Sequence, residues 1–294
     1  MRRRHAGQAL LSTLLLPMAP LVRAQERAQE AVRPRIVSLG GSMTELLWRL
    51  GAQDLVVGTD TTSTHPEAAL RTTKVGYMRQ LSAEGLLALR PTVVLGTDEA
   101  GPPAVLQQLT QAGVPLLLAK ADHSVAELMN KLSLAGQASG RQPQALALKA
   151  ELTERLGQVA QAVAAQAADR KARGARAPRV LFVMCHGGRP QSAGSGTAAH
   201  AMLLLAGAHN AMATGAGYKA LSAESVVQAQ PDIIVTTHDS IVVSGGEDGF
   251  WRHPGLALTP AARQRRLVTM DAMALLGFGP RLPEVLMALH RAVS

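Results

Sequence analysis

The chemistry of this chain concentrates in two stretches that echo each other. Gly76-Tyr77-Met78-Arg79-Gln80-Leu81-Ser82-Ala83-Glu84 runs on to Pro91-Thr92-Val93-Val94, and Gly217-Tyr218-Lys219-Ala220-Leu221-Ser222-Ala223-Glu224 runs on to Pro231-Asp232-Ile233-Ile234. The two stretches hold the only two tyrosines among 294 residues. A phenol, with a pKa of about 10, is neutral near pH 7 and becomes a hard anionic oxygen donor only where a metal or a cation favours the phenolate. Arg79 stands two residues after Tyr77, on the same face of an extended segment, so it is placed to be that cation. Ser82 and Ser222 each stand where a helix can begin, with a hydroxyl to accept an orphan N–H. Glu84 and Glu224 then fall in the first turn, at the positive end of the helix dipole. The pair reads either as ordinary helix-start carboxylates or as two matched points that a two-fold partner could grip.

Other reactive side chains are sparse. His186 follows the apolar run Val180–Cys185 and precedes two glycines, which predicts a place at the carboxyl end of a strand, where parallel sheets bind ligands. The remaining histidines show neither HxH nor HxxxH spacing, which argues against a dedicated zinc cluster. Cys185 is the only cysteine, so there is no disulfide and no cysteine at the leader's end to carry a lipid; its apolar strand predicts a small buried residue.

The elements that must carry these residues alternate between strand and helix. Arg35–Leu39, Leu55–Gly58, Thr92–Leu95 and Val114–Leu118 read as short strands separated by helices at 44–50, 83–89 and 104–112. The second half repeats the order with strands at 180–184, 233–236 and 267–270, and helices at 197–205, 222–229 and from about Pro283. Strands alternating with helices predict parallel sheets wrapped by helices. Residues 125–176 offer no strand and are rich in helix formers, predicting one helix before Gly140 and a long one from about Pro143, a residue tolerated in a first turn. The expected fold class is α/β: two Rossmann-like lobes, each with a central and mainly parallel sheet, joined by one long helix. The boundaries read as leader 1–24, N-terminal lobe 25–124, helical segment 125–176 and C-terminal lobe 177–294.

Composition limits the partners. Arg2-Arg3-Arg4, an apolar stretch from Leu10 to Leu16, and Val22-Arg23-Ala24 read as a secretory signal cleaved near Ala24. Removing it takes away four arginines and no acids, lowering the formal charge from +9 to +5. Seven aromatic residues in all are too few for the stacking platforms of a nucleic-acid binder.

The glycine-ended strand followed by Thr44-Glu45-Leu46-Leu47-Trp48-Arg49-Leu50-Gly51-Ala52, then Val57-Gly58 and His65-Pro66, resembles the metal-chelate class of periplasmic substrate-binding proteins that serve ABC importers. Within that class, Val75-Gly76-Tyr77-Met78-Arg79-Gln80-Leu81-Ser82, His186-Gly187-Gly188, Ala193-Gly194-Ser195-Gly196-Thr197, Trp251-Arg252-His253-Pro254-Gly255-Leu256 and Gly277-Phe278-Gly279-Pro280-Arg281 resemble the haem binders, over essentially the whole mature chain. The resemblance implies haem, as transported ligand, held between two lobes. It implies Tyr77 as the axial ligand to ferric iron, a role that tyrosine serves in other haem proteins, with Arg79 as its neighbour and His186 as a possible second ligand. Arg252 and Arg281 become candidates to bond the propionates or the Tyr77 oxygen across the cleft, as planar bidentate donors can. Phe250, Trp251 and Met78 could cover the macrocycle, while Tyr218, in a segment one residue shorter between Tyr and Glu, is expected to pack at the lobe surface or rim. Glu84 and Glu224 become docking carboxylates for an ABC permease and its ATPase.

The expectation is therefore a periplasmic, monomeric haem-import protein with no membrane anchor and no catalysis. Corrinoid or ferric-siderophore binding within the same class is the nearest alternative. A two-lobed exported chelatase-like enzyme is a remoter one, because the chain offers no clear pair of carboxylates at a cleft.

Overall fold

Strand β1 (Ile36–Ser38) is buried along its whole length and carries a parallel neighbour on each edge, the arrangement that continuous apolar runs favour. The computed structural model describes residues 33–186 and 188–294, and of His186 the backbone alone; the predicted leader and its cleavage point lie outside the described residues. Beside β1 lie β2 (Val56–Thr59) and β3 (Val93–Thr97), and β4 (Leu116–Ala119) completes a four-stranded, wholly parallel sheet in the order β2-β1-β3-β4. Helices α1 (Gly41–Arg49), α2 (Ala83–Ala88) and α3 (Pro103–Gln111) fill the connections, as the strand and helix alternation predicts.

Helix α4 (Val125–Ser139) ends at Gly140, whose φ of 67° is the left-handed conformation of a helix C-cap. Helix α5 (Gln142–Ala172) follows, with Pro143 in its first turn; its 31 residues span about 46 Å at ~1.5 Å per residue.

The second sheet is mixed. Strand β5 (Arg179–His186) pairs in parallel with β7 (His209–Asn210) and β9 (Ile233–Thr237), and β9 with β10 (Leu267–Met270). Strand β6 (Arg189–Ala193) then turns back antiparallel on β5, and β8 (Tyr218–Ala220) lies antiparallel on β6. The sequence predicts neither, for a physical reason: Arg189-Pro190-Gln191-Ser192-Ala193 has no apolar run, and β8 is exposed throughout, so burial leaves no pattern in its residue types. Helices α6 (Ala198–Leu205), α7 (Ala223–Ala229), α8 (His238–Val243), α9 (Glu247–Trp251), α10 (Pro260–Arg263), α11 (Ala272–Leu276) and α12 (Leu282–Ala292) surround this sheet.

One apolar core joins the two sheets. It runs from Ile36 and Leu46 through Leu128 on α4 and Leu152 on α5 to Phe182, Phe278 and Leu289, while smaller clusters sit in each lobe alone. Each buried Leu or Phe contributes about 1.5–3 kcal/mol relative to exposure, so the lobes cannot part at this level without a large loss. Polar bonds add to it: Lys131 Nζ reaches Ser42 Oγ at 3.2 Å and the Gly277 carbonyl at 3.0 Å, and Arg281 grips Glu45 with bonds of 2.8 and 2.6 Å. Residues 34–294 thus form one unit.

Candidate ligand-binding cleft

Gly76 has a φ of 94°, a conformation that L side chains rarely adopt. Its carbonyl accepts the Thr61 N–H at 2.9 Å, and the Gln80 N–H closes a turn on the Tyr77 carbonyl at 2.8 Å. Met78 is tucked inward, and its backbone and that of Leu81 exchange two 2.9 Å bonds with Gly101. The loop carrying Tyr77 and Arg79 is thereby stitched to the loop after β3 that carries Glu99. Arg79 Nη1 stands 3.5 Å from the Tyr77 hydroxyl, and its Nη2 forms a close ion pair with Glu99. Desolvation works against the Arg79 charge, but Glu99 and the Tyr77 oxygen outweigh it and hold the guanidinium above its ordinary basicity.

Tyr218 stands on the opposite wall. Gly217, at a φ of 71°, donates to the Ser195 carbonyl at 2.9 Å, and Tyr218 is held in register with Ala193. Its phenol is pushed above the ordinary tyrosine value, chiefly by burial; the Ala199 backbone N–H, in the first turn of α6, opposes this, Glu99 adds to it, and Arg79 opposes it weakly. Tyr77 and Tyr218 are 38% and 40% exposed and line a single cavity of about 440 Å³.

The floor of that cavity is charged but closed. Lys131 and Glu127, four residues apart on α4, form an ion pair with each side chain 3% exposed. The His123 N–H also bonds Glu127 Oε2 at 2.6 Å. Leaving either ion alone in such a place costs about 3–5 kcal/mol, so the pair serves the floor and leaves no free charge there. Between floor and tyrosines the walls are Met78, Met184, Met273 and Leu276. Polarizable thioethers adapt to a large flat apolar ligand, while a phenol open to the cleft offers an oxygen donor to a hard metal. Among the described residues, no group of three or more His, Cys, Asp or Glu side chains is arranged to hold a bare metal ion.

The structure brings together Tyr77, Arg79 and Met78, and adds Tyr218, which lines the cavity instead of packing at the rim. It does not bring in two of the expected arginines. Arg281 is committed to Glu45, a carboxylate only 5% exposed that needs a buried counter-charge, and it also reaches Asp271 at 3.5 Å; the Glu45 bonds raise its basicity against the cost of burial. Arg252 is exposed, its Nε donating to the Asp248 carbonyl at 3.2 Å, and does not line the cavity. Phe250 and Trp251 are buried in the core of the second lobe. The side chain of His186 lies outside the described residues; its backbone ends β5, paired with Arg189.

Cys185 is half-buried, with its Sγ 3.4 Å from His253 Nε2 and 3.6 Å from Ser244 Oγ, and burial holds that imidazole below its ordinary basicity. Glu84 and Glu224 are both exposed, in first turns capped by Ser82 and Ser222. Sequence reasoning missed Glu99, Met184, Met273 and the floor pair. The i,i+4 spacing of Glu127 and Lys131 was a readable signal; nothing local marks Glu99.

Residues 36–274 match the model of a family described as periplasmic binding protein. Among solved structures, the chain is similar to the periplasmic heme-binding protein BhuT in complex with two hemes. The identity is 41%, covering 88% of this chain and 97% of that one, with a TM-score of 0.82. It is also similar to the periplasmic heme-binding protein RhuT from Roseiflexus sp. RS-1, at 38% identity over 88% and 97% of the two chains and a TM-score of 0.81. An uncharacterized ABC transporter substrate-binding lipoprotein, YvrC of Bacillus subtilis, is 27% identical over 85% of this chain and 76% of its own. A cobalamin-binding protein of Halobacterium salinarum is 31% identical over 69% of this chain, which spans 53% of that relative's length. With a family match across both lobes and their connecting helices, this chain belongs to the periplasmic binding protein family.

Proposed function

We propose that this protein captures ferric haem in the cleft through Tyr77 and delivers it to an ABC permease and its ATPase for import, without catalysis of its own. The observation that carries the reading is the Tyr77 phenol, half-exposed in a methionine-walled cleft with the Arg79 guanidinium 3.5 Å away. Ferric iron takes a hard oxygen donor, a role that tyrosine serves in other haem proteins. Two solved heme-binding proteins similar over 88% of the chain support the choice of ligand.

In this reading the protein acts as an unanchored monomer in the periplasm, its lobes spanning 25–124 and 177–294 with 125–176 between them. No helix among the described residues is long and apolar enough to cross a membrane. Glu84 and Glu224, exposed on matching first turns, serve as the docking carboxylates for basic groups of the permease. Haem leaves through the open top of the cleft, because the shared core and the floor bonds hold the lobes together below it.

The cobalamin-binding relative makes a corrinoid the competing ligand, and Tyr77 separates the two because a corrinoid needs no phenolate. Titrating hemin and, in parallel, cyanocobalamin into the wild type and Tyr77→Phe tests the reading. The expected result is a Soret shift with hemin alone, weakened about 100-fold in the variant, roughly 2.7 kcal/mol. Absence of haem uptake by the wild type, or equal uptake by the variant, rejects it.

A further inference from the structure

The ribbon formed by β6 and β8 has two faces, and Gln191 and Tyr218 on one of them line the cavity described above. Their chain neighbours Ser192 and Lys219 point the other way, because successive strand residues alternate between faces. The register pairs Ser192 with Lys219 directly across the ribbon, which brings their Cβ atoms within about 4.5–5.5 Å of each other. Both line a second hollow, of about 260 Å³, whose wall also includes Thr214, Gly215 and Ser225. The Lys219 ammonium lies over Gly215, where an added Cβ would stand 3.6 Å from Nζ. Gly215 is itself fixed: its carbonyl accepts the Ser195 N–H at 2.6 Å and lies so close to Gly194 that a Cβ there would come within 1.9 Å of its oxygen.

Two polar groups in this hollow are unspent. Ser192 is only 2% exposed, and its hydroxyl has no hydrogen-bond partner among the described residues; a buried hydroxyl left alone is costly. Lys219 likewise has no acidic partner among the described residues, and no Asp or Glu lines the hollow. The neighbouring serines are already committed: Ser222 Oγ donates to Ser225 Oγ at 2.8 Å, and Ser225 Oγ donates to the Ser222 carbonyl at 2.9 Å. Glu224 is exposed on α7 and does not line the hollow. We propose that the hollow is a second binding site, separate from the cleft, that takes one small oxyanion, a carboxylate or a phosphate, on Lys219 and Ser192. The oxygens of such a group accept from the ammonium and from the buried hydroxyl together, and hydrogen bonds of this charge-assisted kind are the strong ones. A cation or a neutral solute would leave the Lys219 charge unmet. The site depends neither on haem nor on the two tyrosines.

Calorimetric titration of inorganic phosphate, and of acetate in parallel, into the haem-free protein at low ionic strength tests the site. The wild type is expected to bind phosphate saturably. Lys219→Gln is expected to weaken that binding by about 10-fold or more and Ser192→Ala by about 5-fold, while Lys219→Arg, which keeps the charge, retains it. Glu224→Gln, outside the hollow, should change it by less than about 2-fold. Thermal melts confirm that each variant is folded, and Lys219→Gln alters only an exposed side chain, so the test does not depend on Ser192→Ala. Non-saturable heats with both anions, or equal binding by Lys219→Gln, overturn the proposal. A second arm identifies the source of the oxyanion, reading haem delivery to the reconstituted permease with and without saturating phosphate. Inhibition of the wild type but not of Lys219→Gln assigns the seat to an acidic side chain of the docking partner, and delivery unchanged by phosphate assigns it to a free anion. A wild type that takes up no haem refutes the haem reading and leaves the phosphate titration standing, so the two failures are distinguishable.

Discussion

The two walls of the cleft are built from echoing sequence and do different work. On the first wall, Tyr77 sits in an irregular loop that left-handed Gly76 opens and Gly101 ties down. On the second, Tyr218 is part of an edge strand, paired with Ala193. The loop lets residue i+2 stand beside the phenol, and residue i+2 is Arg79. In the strand the same offset gives Ala220, while Lys219 projects to the other face, over a separate small hollow lined by Ser192, Gly215 and Ser225. Where the copies agree, at Ser-Ala-Glu, they make the same structure: a short capped helix with an exposed glutamate in its first turn. The difference teaches that a repeated segment keeps its outward face and diverges where it faces the cavity.

The sharpest way to break the comparison is to test the half that is symmetric. If Glu84 and Glu224 are equivalent grips, Glu84→Ala and Glu224→Ala each lower haem delivery to the reconstituted permease by about 10-fold, the scale of one lost charge pair across an interface. Haem affinity should stay within about 2-fold of wild type, since both carboxylates lie outside the cavity. Uptake by proteoliposomes measures the first and spectral titration the second; unequal losses would mean that the permease reads one lobe.

Much of this architecture was legible in the chain. The alternation of apolar strand and helix, Pro143 opening the long helix and Gly140 closing the one before it all follow from local residue chemistry, and the structure holds them within a few residues. The echo placed Tyr77 with Arg79 and the two glutamates on helix starts. What could not be read is whatever depends on residues distant in sequence. Arg281 looked free for a ligand until Glu45, 236 positions away, took it. Glu99 comes beside Arg79 only because backbone bonds bring residue 101 to residues 78 and 81. Strand β6 shows no strand pattern because its pairing on β5, not its own composition, makes it a strand.

The asymmetric half is sharpened by removing the cation. Arg79→Gln takes the charge from beside Tyr77, and hydrogen bonds to charged groups contribute about 1.5–3 kcal/mol net, so haem affinity falls by roughly 10-fold or more. Lys219→Gln, the corresponding loss of charge beside Tyr218, is expected to change affinity by less than about 2-fold, because Lys219 turns away from the cavity. Spectral titration of both variants decides it. Equal losses would show that the cleft uses general positive charge and has no placed guanidinium.

The smallest expected effect concerns Tyr218 without ligand. Burial holds its phenol above the ordinary tyrosine value, with the Ala199 N–H and Arg79 only partly offsetting that and the Glu99 charge. The folded protein therefore keeps the Tyr218 proton more tightly than the unfolded chain does. As pH rises past about 10, the unfolded chain ionises first, so this group's contribution, fully present at neutral pH, is lost with increasing pH. Tyr218→Phe cannot ionise and escapes that loss. Denaturant midpoints compared near neutral pH and above the ordinary tyrosine range should fall less in Tyr218→Phe than in the wild type. If both fall equally, burial does not hold the Tyr218 proton, and the wall that carries it is no drier than the wall that holds Arg79.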